Sequence, residues 1–361
     1  MISPTAFREL ASGRRRGLAA GILRTALRAA SVPYGWAVRG RNRRYDRGAA
    51  EVVRAAVPVV SVGNLTVGGS GKTPMVQWIA RHLHQQHLRV AILSRGYGAE
   101  QGGQNDEARE LELALPGVPH LQNPDRPASA TIAVEQLGAQ LLLLDDGFQH
   151  RRLARDLDIV LLDASEPFGF DYLLPRGTLR EPVSGLRRAH VVALSRADML
   201  DAAARRAIRR RALAIAPHAR WCEVEHRPAA LVDCHGASES LGAAATERVA
   251  AFCGIGNPAG FRHTLATLGC EPAAWREFPD HHRYSRADVD RLAQWVDATG
   301  ATLALCTRKD LVKLRVATLG RAALRAVSVE LAFLDGRQEL ELALQPLVQC
   351  ALSAARGLGS R

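Results

Sequence analysis

Residues 57–74 run Val-Pro-Val-Val-Ser-Val-Gly-Asn-Leu-Thr-Val-Gly-Gly-Ser-Gly-Lys-Thr-Pro, an order that leaves the backbone few choices. The β-branched run predicts a buried strand and the glycines a loop. Met75, Val76, Ile79, Ala80 and Leu83 then mark one face of a helix. Glycine permits positive φ and close approach of backbone N–H groups, and a helix start adds partial positive charge. Gly68, Gly69, Ser70, Gly71, Lys72 and Thr73 are therefore expected to cradle a chain of phosphates, with Lys72 at the β/γ-phosphates and the Thr73 hydroxyl on Mg²⁺. The common pattern has another glycine where this chain has Thr66, so Gly68 and Gly69 are expected to do the turning. An ordinary glycine-rich turn is the competing reading; Gly-Lys-Thr set between a strand and a helix argues against it.

Strand and helix patterns alternate beyond this point. Apolar runs at 57–62, 90–94, 141–144, 159–162 and 191–194 read as buried strands, 128–137 as a helix, and the polar, Gly-rich stretch 99–109 as a loop. The expected fold is α/β: a P-loop NTPase-like, mostly parallel sheet with helices on both faces, a smaller α/β second lobe, and an N-terminal amphipathic helix. The expected division is 1–48 for the basic segment, 49–226 for the P-loop domain, 227–330 for the small lobe, and 331–361 for a segment returning to the first lobe. Short alternating segments at 221–226 and 327–333 flank the small lobe.

Charge is concentrated at one end. Residues 1–47 carry eleven arginines against Glu9 and Asp46, most of the chain's net +12. Residues 17–30 fit a helix with Leu23, Leu27 and Ala30 on one face and Arg24 and Arg28 stacked one turn apart. Such a helix suits an anionic membrane surface, with Tyr34 and Trp36 expected at headgroup level. Packing on the main domain and a nucleic-acid arm are the alternatives, and no nucleic-acid motif supports the latter. No run of about eighteen uncharged apolar residues predicts a spanning helix. The six cysteines are scattered without metal-ligand spacing, as expected of reduced thiols on the cytoplasmic side.

Other motifs bear chemistry. Asp145 and Asp146 end the leucine strand, where a P-loop enzyme places carboxylates that support Mg²⁺; Gly147-Phe148-Gln149-His150 then keep His150 near the phosphates. Arg176 and Arg180 lie on a Pro-bounded loop, 174–182, suited to phosphoryl oxygens. Phe278-Pro279-Asp280-His281-His282 offers one histidine to work beside a carboxylate, without deciding which. Ser195-Arg196-Ala197-Asp198 and Thr307-Arg308-Lys309-Asp310 imitate the base-reading motif of GTPases.

Taken together, SVGNLTVGGSGKTP, LSRGYG, NDE, LLLLDDGFQHRRLARDLDIVLLD, LPRGTLREP, FPDHHRY and TRKDLVKL, spread over residues 61–314, resemble the tetraacyldisaccharide 4′-kinase family, the lipid A 4′-kinases of Gram-negative bacteria. The resemblance implies Mg²⁺-dependent transfer of the ATP γ-phosphate to the 4′-hydroxyl of an acylated glucosamine disaccharide 1-phosphate. It places that reaction at the cytoplasmic face of the inner membrane, with no obligate protein partner inferred. It implies that Asp106 accepts or orients the acceptor proton, that His281 pairs with it from the other lobe, and that Lys72, Thr73, Asp145 and Asp146 serve phosphates and metal. Arg126, His150, Arg180 and Glu181 match further positions associated with activity. The family's usual Gly-Asp-Glu-Pro is Asn105-Asp106-Glu107-Ala108 here, and Thr178 replaces a common proline. A P-loop nucleotide switch that delivers a metal or partner protein is the alternative of another class. A soluble-sugar kinase is a third reading.

Overall fold

The computed structural model describes residues 4–96, 106–280 and 282–358. Two units divide the chain. The first holds residues 1–102, 115–225 and 333–361; the second holds 103–114 and 226–332.

In chain order the elements begin with α1 (Pro4–Ala11), α2 (Leu18–Asp46), β1 (Val59–Asn64), α3 (Lys72–His84) and β2 (Val90–Ser94). Next come α4 (Asp106–Ala114), β3 (His120–Gln122), α5 (Arg126–Glu135), β4 (Leu141–Asp145), β5 (Leu157–Asp163), β6 (Val191–Ser195), α6 (Ala202–Ile215) and β7 (Arg220–Val232). The chain continues through β8 (Ser238–Glu239), α7 (Gly242–Thr246), β9 (Val249–Cys253), α8 (Pro258–Thr267), β10 (Ala274–Glu277) and α9 (Arg286–Thr299). It closes with β11 (Leu303–Thr307), α10 (Arg308–Leu314), β12 (Thr318–Leu319), β13 (Ala322–Asp335) and α11 (Arg337–Leu358).

In the first unit the strand order is β7-β6-β5-β1-β4-β2-β3, with every pair parallel. Strands β1, β4, β5 and β6 are buried along their whole length, which is why they read as unbroken apolar runs rather than alternating ones. Leu142, Leu144, Ala91 and Leu93 pack with α5 residues Ala130 and Ala133 in one core cluster. Val160, Leu162, Val192 and Leu194 pack with Ala212 of α6 and Trp221 in another. Helix α11 returns to this unit, where Leu340, Leu344 and Val348 are buried.

The second unit has its own order, β10-β9-β11-β13-β7, and its own core around Phe252, Leu292, Val296 and Ala304. Strands β7 and β13 are neighbours in it, and each runs on across the boundary between the units. Helix α4 belongs here and packs on α10, so residues 106–114 fall outside the P-loop domain to which the sequence assigns them. The expected loop 99–109 is already helical from Asp106; residues 97–105 lie outside the described set.

Helix α2 is the other departure. It continues through Pro33 to Asp46 instead of ending near residue 30, because its second half is held by contacts the sequence pattern does not display. Ser31 donates to the Leu173 carbonyl at 3.1 Å, and a Cβ at Gly35 would stand 3.0 Å from the Leu173 side chain. Tyr34 turns inward, away from the headgroup position expected for it; its hydroxyl donates to the Arg180 carbonyl at 2.8 Å. Trp36 stays 70% exposed.

Candidate active site

Strand β1 delivers its last residue, Asn64, directly into the glycine loop. Gly68 and Gly71 have φ of 114° and 85°, values an L side chain resists, so the turning falls to them. Thr66 needs no such freedom. It forms an antiparallel bridge with Leu179, flanked by Val67 N–H to the Thr178 carbonyl and Arg180 N–H to the Leu65 carbonyl at 2.8 and 2.7 Å. That strip of extended backbone explains why threonine serves where glycine is usual. Asn64 Nδ2 donates to Ser70 Oγ at 2.7 Å and stiffens the loop from inside. Helix α3 opens at Lys72 with Gly71 as its N-cap, and no side chain among the described residues caps it. Its first N–H groups are therefore available to an anion.

Strand β4 brings the aspartates alongside. It pairs with β1 in the register Val62–Asp145, so Asp145 stands level with the loop. Asp146 has a left-handed φ of 54°. A Cβ on Gly147 would meet Ser61 Oγ and Leu144 Cβ at 2.7 Å, and one on Gly63 would meet Phe148 Cβ at 2.5 Å. The DDGF segment thus turns tightly over β1 because glycines stand on both sides of the crossing.

Two cations converge on Asp146. Lys72 Nζ lies 3.4 Å from its Oδ1, and Arg180 Nη1 donates to its oxygens at 2.7 and 2.9 Å. Burial alone would raise this carboxyl, but the Lys72 and Arg180 charges outweigh it and hold it well below the usual carboxylate range. Asp145 and Thr73 are also buried, and the Arg126 guanidinium donates to the Asp145 carbonyl at 3.3 Å. Burial, then the charges of Arg126, Arg155 and Arg152, push His150 down to about 4, so it is neutral near pH 7. Its Nε2 is buried with no hydrogen-bond partner among the described residues.

Glu181, fully buried, accepts from Arg188 Nη2 on both oxygens, from Gln149 Nε2 at 2.9 Å and from Asn42 Nδ2 at 3.0 Å. Gln149 also donates to the Asn64 carbonyl at 2.8 Å. The structure therefore gathers Lys72, Thr73, Asp145, Asp146, Arg126, His150, Arg180 and Glu181 in the first unit. Arg176 is not among the groups at Asp146: it donates to the Ala11 carbonyl at 2.9 Å and stacks on Tyr172. Asp106 is the first residue of α4, and its side chain lies outside the described set, as does His281. Because α4 belongs to the second unit, the expected split of Asp106 and the small lobe's histidine loop between two lobes does not hold.

Three participants carry no signal of their role in the sequence. Gln149 and Asn64 carry no charge to draw notice. Arg196 lies in a stretch that imitates a base motif, yet its Nη2 donates to the Gly69 carbonyl at 2.9 Å while it pairs with Asp163. Asp310, from the second such motif, is fully buried and accepts from Tyr284, Thr307 and the Gly254 N–H. Bound on all sides, it has no oxygen to offer a purine. His282 stacks on Phe278 at 4.8 Å, and its Nε2 lies 3.4 Å from Asp288, the third residue of α9, which with Ser285 forms the capping box of that helix.

Comparison with known proteins agrees over most of the chain. Residues 23–349 match the family model described as tetraacyldisaccharide-1-P 4'-kinase. A tetraacyldisaccharide 4'-kinase of Anaeromyxobacter sp. (strain K) is 46% identical over 347 residues, covering 90% of either chain. Another, from Geobacter sulfurreducens, is 38% identical over 85% of this chain and 89% of its own. The crystal structure of LpxK from Aquifex aeolicus in complex with ATP superposes with a TM-score of 0.69 at 29% identity, covering 90% of this chain and 99% of that one.

Proposed function

This chain belongs to the tetraacyldisaccharide-1-P 4'-kinase family, and from that premise we propose how its residues divide the work. It is an ATP-dependent kinase that phosphorylates the 4′-hydroxyl of tetraacyldisaccharide 1-phosphate in lipid A biosynthesis. The acceptor oxygen attacks the γ-phosphorus, the bond to the β–γ bridging oxygen breaks, ADP leaves, and the hydroxyl proton passes to a base. The observation that carries this reading is the convergence of Lys72 and Arg180 on Asp146 beside the uncapped start of α3. Positive charge is fixed there where negative charge shifts toward the leaving oxygen, and no rearrangement of the cations is needed at the moment of transfer.

Gly68, Gly69, Ser70 and Gly71 bind the phosphates through backbone N–H groups, and Lys72 reaches their terminal oxygens. The oxygen donors Thr73 and Asp145, both buried and adjoining the loop, fit a magnesium ion, with Asp146 contributing to its field. Magnesium, when bound, would offset charge on the β and γ oxygens. Asp106 takes the acceptor proton and His281 orients it. Arg126, His150, Arg180 and Glu181 keep the aspartates and the loop in register.

The acceptor's acyl chains place the enzyme at the cytoplasmic face of the inner membrane, held there by α2. Supporting this, Leu18 is 89% and Ile22 71% exposed on that helix, amid arginines suited to anionic headgroups. No helix among the described residues is long and apolar enough to cross a membrane. The nucleotide-switch alternative is not favoured, since both stretches that imitate a base motif are committed elsewhere: Arg196 to the loop, Asp310 to its own lobe.

Labelled ATP with defined acceptors tests the assignment. The wild-type chain should label tetraacyldisaccharide 1-phosphate, and Asp106→Ala should lose transfer while still binding ATP. A fully active Asp106→Ala variant would overturn the base. Activity on a soluble sugar that survives deletion of residues 1–30 would overturn the membrane assignment.

A further inference from the structure

We propose that Tyr34 and Asn42, on helix α2, are positioning residues for the transfer centre, acting through Arg180 and Glu181 on Asp146 and Lys72. The inference rests on the kinase reading above and extends it to residues of the exposed basic helix.

Helix α2 has two halves with different surroundings. Its first half leaves Leu18, Ile22 and Leu23 exposed, and from Ser31 onward it is docked through Ser31, Gly35 and Val38. From the docked half, two side chains reach two consecutive residues of the site. The Tyr34 hydroxyl holds the Arg180 carbonyl at 2.8 Å, and Asn42 Nδ2 holds Glu181 Oε2 at 3.0 Å. Further out, Arg151 braces the same stretch by donating to the Asn42 carbonyl at 3.1 Å and pairing with Asp46 at 2.8 Å.

Arg180 and Glu181 then fan out into the phosphate site along separate routes. The Arg180 N–H donates to the Leu65 carbonyl at 2.7 Å, at the entry to the glycine loop, and its guanidinium grips Asp146, which in turn holds Lys72. Glu181 anchors Gln149, whose second hydrogen bond goes to the Asn64 carbonyl at 2.8 Å, the last residue of β1. A fully buried carboxylate that loses one donor re-forms its remaining bonds, so a change at Asn42 is felt at Gln149 and Arg188. Neither Tyr34 nor Asn42 needs to touch substrate to set where Asp146 and Lys72 stand.

The test uses the full chain in mixed micelles containing tetraacyldisaccharide 1-phosphate, with Tyr34→Phe, Asn42→Leu, Glu181→Gln and the double variant Asn42→Leu/Glu181→Gln. Tyr34→Phe keeps the ring and loses one hydroxyl, so it guards against misfolding. We expect kcat to fall about threefold for Tyr34→Phe and about tenfold for Asn42→Leu, the latter a bond to a charged partner. KM for lipid and for ATP should stay within about twofold, flotation with anionic vesicles should be unchanged, and Asn42→Leu should add little in the Glu181→Gln background. A rise in lipid KM at constant kcat, weaker flotation, unchanged kcat in both Tyr34→Phe and Asn42→Leu, or fully additive losses would overturn the proposal. Absence of transfer by the wild-type chain would overturn the kinase reading and this proposal with it.

Discussion

Two turns of this molecule share one plan and differ in what they do with their donors. Each follows a buried parallel strand, β1 or β9, runs through a glycine-containing loop, and opens a helix, α3 or α8. In the second unit the donors are spent internally. Gly254 N–H goes to Asp310 Oδ1 at 3.0 Å, Asn257 Oδ1 caps the Gly260 N–H at 3.0 Å, and Pro258 sits in the first turn of the helix. In the first unit α3 has no side-chain cap among the described residues, and Lys72 and Arg180 stand beside it, held by Asp146. Glycine after a strand is thus not the mark of a phosphate site. Uncommitted N–H groups facing fixed positive charge are.

Substitutions in the two turns should separate accordingly. The largest effect is expected from Lys72→Ala, a loss of about 10³-fold in transfer rate, because one charge-stabilising donor is removed from the reacting oxygens; steady-state labelling reads it. Asp310→Ala should cost about 3 kcal/mol of stability in a denaturant titration, since Tyr284, Thr307 and Gly254 lose a buried acceptor, with ATP affinity unaltered. Gly71→Ala forces a side chain to a φ of 85° and should weaken ATP binding about tenfold. Its counterpart Asn257→Ala should cost about 1 kcal/mol of stability and leave ATP affinity intact. An ATP-binding defect in Asn257→Ala would break the comparison.

The smallest expected effect is a slope. His150 is lowered in the folded chain from 6.5 to about 4, so between those values the unfolded chain binds the extra proton and stability falls as pH falls. His150→Gln should flatten that part of the melting-temperature profile relative to wild type, with no difference expected above pH 7.

Much of this was legible beforehand, for physical reasons that can be named. Strands such as Leu141–Leu144 are buried on both faces, so they announce themselves as apolar runs. The glycine loop declares itself because positive φ admits few other residues. The continuation of α2 past Pro33 could not be read, since proline and a run of arginines both suggest an end, and what sustains the helix is tertiary contact at Ser31, Tyr34 and Asn42. Helix α4 was hidden because its polar start follows a Gly-rich stretch; Leu111, buried in its last turns, is its main apolar signal. Strand β3 is three residues long, too short for any period.

The pairing of Asp146 with Lys72 and Arg180 has a consequence for nucleotide capture. Long cationic side chains ordinarily give up rotational freedom when a ligand arrives, at up to about 2 kcal/mol each. Here that immobilisation is completed during folding, with a resident carboxylate standing in for the incoming anion. Triphosphate binding then becomes an exchange of counter-ions at preset positions, so its rate should depend on the approach of the nucleotide rather than on reorganising the pocket.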